Sequence, residues 1–341
     1  MTNAMEAKSK PGVLRSIVQI GGFLVGLALL GWCIRQAFSP ENQKQLAALR
    51  HAPPHLIAAL FGVGIMILLC SGLSFYVSIR PLRRLNFWDL QATNVIATLL
   101  GYVPFKAGMV FRILVHNRRD LVPVALMGAW FGAVSIIMAA TLGPLFAASM
   151  LAREINQKWF AIAFSLGALA FVCVWVLSWY FHGTRGMAIL RSIAEKLGGK
   201  WARKLVRTRF VRTAHGGLDI LASAPRVLLL MFIRLVDLSS QTLRFYLAAM
   251  IVGTPLSLDT CLLFASTHFV VGVVSPAGMV GTREAAIVGF AAALGLSNPE
   301  AIAGVALLVL ASEAVVNSVL SVAGVLRLGV HRMFVPREAL A

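Results

Sequence analysis

The sequence predicts an all-α protein, a polytopic membrane helix bundle with two re-entrant hairpins arranged in inverted repeats. Three observations lead there. Of 341 residues, 59% are hydrophobic and only 13% charged, against about 45–50% and about 25% in soluble domains. Long apolar runs recur along the chain. Two further apolar stretches are broken midway by Pro and Gly next to charged residues.

A helix needs about 20 mostly apolar residues to cross the hydrocarbon core. The clear spans are Val13–Ile34, Leu56–Ile79, Leu121–Leu151, Trp159–Phe181, Val227–Val252 and Ala301–Leu326. The first follows Lys8, Lys10 and Arg15 as a signal peptide would. Its length, the Arg35 after it and the missing small-x-small site identify a retained anchor. Cys33, Cys70, Cys173 and Cys261 each stand alone in an apolar run and read as small buried residues.

Orientation follows from the basic residues. With the N-terminus in the cytoplasm, 22 Lys and Arg fall inside and four outside (Lys44, Arg50, Arg153 and Lys158). Both termini are thus expected in the cytoplasm, and the protein in the inner, cytoplasmic membrane. The net charge of +18 reflects this bias and points to anionic lipid, not to nucleic acid. Residues 182–226 hold ten of the basics. Leu190, Ile193, Leu197, Trp201 and Leu205 recur there at helical spacing, beside Lys200, Arg203, Lys204 and Arg207. That pattern predicts a helix in the cytoplasmic interface.

The two broken stretches cannot span. Trp88–Val103 opens with Asp89, Gln91, Thr93 and Asn94 and meets Pro104, Lys106 and Gly108. Leu258–Val274 meets Ser275, Pro276, Gly278 and Gly281, then Arg283 and Glu284. The following Ala285–Leu296 makes about 18 Å of helix, too short to cross. Irregular backbone at membrane depth survives only where protein buries it or water reaches it, so each stretch is read as a re-entrant hairpin. The tips share a tetrapeptide, Ala107-Gly108-Met109-Val110 and Ala277-Gly278-Met279-Val280, half a chain apart. Repeat one is placed at about 55–181 and repeat two at about 227–328, in one membrane domain. Inverted repeats with broken helices at their interface point to a binding site there.

Arg234, Asp237, Gln241 and Arg244 share one face of a span, as do Glu313, Asn317 and Ser321. Charge at mid-bilayer costs about 2.5–3.5 kcal/mol, so these faces must meet the bundle interior. With the tip residues they predict a cavity suited to an anionic headgroup. Its cations are Lys106, Arg112, Arg234, Arg244 and Arg283; its polar support is Asp237, Gln241, Glu284, Glu313 and Asn317. Arginine suits phosphate because its planar fork donates paired hydrogen bonds. Arg283 is expected nearest the phosphate, and His268 as a packing residue. The competing expectation is that these charges only pair with one another and lock the helices. No phosphate-binding GxxxxGK[ST] loop, HExxH, CxxC or GxSxG occurs, so neither an enzymatic activity nor a metal or other cofactor is expected.

The run Ser275–Ala286 resembles the P-x-G-G-x-G-x-R-E-A signature of the lysylphosphatidylglycerol synthase transmembrane region, a flippase-like domain family. Pro104–Arg112 resembles that family's earlier P-x-R-x-G-E-x-x-R element. The resemblance runs from roughly Gly22 to Leu328. Met109 stands where the family usually has Glu, Met279 replaces a Gly, and Ala129-Trp130 lies near a common Glu-Arg pair. The resemblance implies movement or handling of a lipid headgroup between leaflets by a member standing without the soluble synthetase domain. Its implied partners are an anionic or lipid-linked membrane lipid and lipid-biosynthesis enzymes. An intramembrane lipid-modifying transferase and a non-transporting subunit of a lipid, hopanoid or glycolipid system are the alternatives.

Overall fold

The computed structural model describes residues 31, 52–103, 106–152, 154–196, 206, 208–274, 281–296 and 299–329. Apart from Gly31, the expected first span lies outside the described residues, as do Pro104, Pro276, Gly278, Met279, Cys33 and the stretch around Trp201.

All regular structure among the described residues is helical. Helix α1 is Pro54–Ile79, with proline in its first turn where the missing N–H costs nothing. α2 is Phe87–Leu99; the Asn86 side chain accepts from the Trp88 and Asp89 N–H groups at 3.0 and 3.2 Å and sets its start. A 3-10 turn, Leu100–Tyr102, ends it. α3 is Ala107–Arg118. α4 is Val124–Ala152 and α5 is Gln157–Phe181, capped by Asn156. α6 (Gly183–Lys196), α7 (Arg209–His215) and α8 (Leu218–Leu221) follow. α9 is Ala224–Val252 and ends at Gly253 in the left-handed conformation (φ 75°), which glycine adopts without penalty. α10 is Leu258–Val274, α11 is Thr282–Ala293 and α12 is Pro299–Leu328.

Four of these helices, α1, α4, α5 and α12, are long and apolar enough to cross a membrane. α9 has the length, 29 residues, but carries Arg234, Asp237 and Arg244, all buried. α10 and α11, at 17 and 12 residues, reach about 26 and 18 Å, short of the roughly 30 Å core. α2 and α3 are shorter than α10.

The centre of the bundle is the packing of α1 on α9. Around it α2 lies on α12 and on α1, and α10 lies on α4 and on α9. α3 follows α2, and α11 packs on α10 and α12. Phe245, Phe264, Ile302 and Val305 form one buried cluster; Ile79, Trp130, Ile137 and Leu230 form a second. α5 lies outermost, with Phe164, Leu169 and Leu177 exposed; such an apolar surface belongs in lipid.

One sequence reading changes here. Cys173 is exposed on α5, not buried, because that helix packs by one narrow face. The basic segment also contributes to the packed interior. Its last part, α8, places Ile220 and Leu221 fully inside the second cluster. Two apolar residues in a four-residue helix give too short a period to be read from sequence.

Candidate functional site

A cavity of about 400 Å³ opens between α1, α2, α3, α4, α9, α10, α11 and α12. All five predicted cations line it: Lys106, Arg112, Arg234, Arg244 and Arg283. So do Asp237, Gln241, Glu313 and Asn317. Five cations thus face two carboxylates. The faces drawn from residue spacing therefore turn inward, as the cost of charge in lipid requires.

The region of α2 and α3 is built by close contact. A Cβ on Gly108 would lie 2.0 Å from the Ala97 carbonyl oxygen, so only glycine lets α3 approach α2 there. Lys106, before α3, is left-handed (φ 52°) without being glycine. Such a conformation is uncommon for a long side chain and turns the chain sharply at the cavity. Lys106 itself is exposed.

One turn along α3, Arg112 is 8% exposed. Its Nη2 donates to Asn94 Oδ1 at 2.8 Å, and its Cζ lies 4.0 Å from the Phe75 ring centroid. Asn94 is held in turn by its own donation to the Leu68 carbonyl at 3.2 Å. Trp130 packs edge-on against Phe75 at 5.6 Å, with its Nε1 donating to Ser78 Oγ at 2.7 Å. The guanidinium is thus set by a neutral amide and a ring face. Its Nη1 is buried and has no partner.

Three of the other cations meet acids. Arg234 Nη1 donates to Asp237 Oδ2 at 2.8 Å along α9. Arg244 Nη2 donates to Glu313 Oε2 at 2.9 Å. Arg283 Nη1 lies 3.6 Å from Glu313 Oε1, and His268 Nε2 lies 3.6 Å from Oε2. Asn317 Nδ2 donates to the Tyr102 hydroxyl at 3.0 Å. Gln241 is 1% exposed and its Nε2 is unpartnered.

Glu284 does not join the cavity. Its Oε2 accepts the Gly281 N–H at 2.7 Å and closes the start of α11, where a carboxylate also favours the helix dipole. Gly281 has φ 81°, a turn that sets Arg283 facing inward. His268 packs against Phe245 and Phe269, and it also lines the cavity; its packing role was legible, its acidic neighbour was not. Phe75 and Tyr102 carried no signal, since an aromatic in an apolar run reads as core. Asn94 did carry one, as a polar residue at the opening of a stretch too polar to face lipid.

Fold and site together define a multi-pass helical membrane protein with a cationic cavity inside its bundle. The chain belongs to the lysylphosphatidylglycerol synthase TM region family, whose family model matches residues 19–319. That places it among membrane proteins of lipid biosynthesis and flippase type. Neither curated proteins nor solved structures give a match.

Proposed function

We propose that the protein carries an anionic lipid headgroup between the leaflets of the cytoplasmic membrane, through the cavity between two inverted repeats. The observation that carries the reading is Arg112, a buried guanidinium with an unpartnered nitrogen in a space where five cations face two carboxylates. A buried cation without an acid is costly, and a phosphate supplies the missing acceptors. Arg283 was expected nearest the phosphate; it lines the same cavity beside Glu313, while Arg112 offers a nitrogen with no competing acid.

The packing order supports the repeats. Exchanging α1 with α9, α2 with α10, α3 with α11 and α4 with α12 maps the contacts of α2 on α12 to those of α10 on α4. It likewise maps α1 on α12 to α9 on α4, and α1 on α2 to α9 on α10. The lengths agree too, 26 with 29 and 29 with 30 residues for the long helices. The short pairs α2–α3 and α10–α11 then serve as re-entrant hairpins. The basic bias of the loops orients the repeats oppositely.

The test is transbilayer movement of a fluorescent anionic phospholipid in vesicles holding the purified protein. Movement above protein-free vesicles, reduced in Arg112→Ala, is expected. Movement equal to protein-free vesicles in every lipid tried refutes the reading. A second reading, an intramembrane transferase, draws on His268 and Glu313 as a base and acid 3.6 Å apart. A new lipid mass formed on incubation with donor and acceptor lipids would favour it.

A further inference from the structure

Glu313 occupies an unusual place in the cavity. It stands on α12, yet it lies between Arg244 of α9, at 2.9 Å, and Arg283 of α11, at 3.6 Å. One carboxylate thus bridges two arginines from separate helices, the arrangement a phosphodiester would itself adopt. Asp237 is different. It pairs along its own helix with Arg234, three residues earlier, and is 2% exposed. An arriving anion can leave that pair intact but must compete with Glu313.

We infer that Glu313 is a proton-binding site whose carboxylate the lipid phosphate displaces, so that anion binding and proton uptake are one coupled event. The inference rests on the proposed headgroup site and adds what drives it. A phosphodiester taking the faces of Arg244 and Arg283 would leave two anions against one another inside the bundle. A proton from the aqueous phase, reaching Glu313 through the cavity that its 13%-exposed side chain meets, removes that repulsion. One lipid charge and one proton together leave the net charge of the cavity unchanged. The neutral acid also has an acceptor at hand, since His268 Nε2 lies 3.6 Å from Glu313 Oε2.

The groups around Glu313 that bear on its protonation are known by position. Arg244 comes from α9, Arg283 and the capping Glu284 from α11, His268 from α10, and Tyr102 from the turn after α2. Lys106 comes from just before α3 and Arg112 from within it, and from α9 comes the Arg234–Asp237 pair. α1 and α2 line the cavity with no titratable side chain among their described lining residues.

The experiment is calorimetric titration of the full chain in detergent with dihexanoyl phosphatidylglycerol. This probe is a phosphodiester whose charge stays fixed across roughly pH 6 to 8. Its deacylated headgroup, glycerophosphoglycerol, is titrated in parallel. Buffers of differing ionisation enthalpy count the protons taken up. Close to one proton per lipid is expected, with affinity weakening as pH rises, by up to about tenfold per unit. Glu313→Gln should abolish both effects. Binding of the lipid alone assigns the site to a lipid; binding of both probes assigns it to the headgroup. Binding with no proton taken up by the wild-type chain overturns the coupling and leaves the headgroup site standing, whether or not the variant folds. Proton uptake lost in His268→Gln and kept in Glu313→Gln also overturns it. No binding of either probe at any pH overturns both.

Discussion

Gly108 packs its Cα directly beneath the carbonyl of Ala97, so closely that a methyl group there would stand 2.0 Å from the oxygen. The obstacle is backbone, which cannot swing aside. This contact holds α3 against α2 and fixes Arg112, one turn further on, beside Asn94. Gly108→Ala is expected to destabilise the protein by about 1–3 kcal/mol through overpacking and to weaken anion binding with it. Gly128→Ala, in α4, would place its methyl group in open space, with nothing within 4 Å. It should be neutral or gain up to about 1 kcal/mol from helix propensity. Thermal melts of the two variants in one detergent decide; equal melting points would remove the contact from the argument.

The Arg234–Asp237 pair offers a test of the competing view that the charges only hold the helices. Both side chains are nearly fully buried, 5% and 2% exposed. Removing one partner leaves an uncompensated charge, a loss of about 3–5 kcal/mol. Arg234→Ala and Asp237→Ala should each lower stability by that order, and the double variant should lose less than the two together. Additive losses would mean the pair is not coupled.

The inward faces of α9 and α12 were legible because charge in lipid is costly, so spacing alone dictates where Arg234, Asp237, Gln241, Arg244, Glu313 and Asn317 must point. Partners were not legible. Nothing in spacing tells that Glu313 meets Arg244 and not the nearer-numbered Arg283 most closely, or that Arg112 meets an amide and a ring. Those choices depend on how α12 lies on α2 and α9, a matter of tertiary packing. Glu284 was misplaced because a carboxylate three residues into a helix serves its own backbone as readily as a neighbouring charge.

Topology is checked without any ligand. Arg83 lies in the loop between α1 and α2, and Glu154 in the loop between α4 and α5; both are exposed. The 22-to-four distribution of basic residues predicts Arg83 in the cytoplasm and Glu154 outside. Cysteines introduced at Arg83 and Glu154, in a background with Cys173 replaced, should react with an impermeant maleimide from opposite sides. Reaction of both from the external side would invert or abolish the proposed repeat orientation.

Arg112 bears most of the functional reading, and its substitutions separate binding from folding. Arg112→Ala deletes a buried cation without stranding a carboxylate, since its neighbours are Asn94 and Phe75. Its cost in stability should therefore be smaller than that of Arg234→Ala. Its cost in binding should be large. A hydrogen bond to a charged group is worth about 1.5–3 kcal/mol, or roughly 10- to 150-fold in affinity for a phosphodiester. Arg112→Lys keeps the charge but cannot both hold Asn94 and present a second nitrogen, because the ammonium lacks the planar fork. It also gives up the flat contact with Phe75, a further loss of about 0.5–2 kcal/mol. Lys is thus expected between wild type and Ala. Affinity is read by titration with short-chain phosphatidylglycerol, and stability by melting of the same preparation. An Arg112→Ala protein that melts earlier than Arg234→Ala yet binds as wild type would make Arg112 a packing residue and leave the phosphate to Arg244 and Arg283 alone.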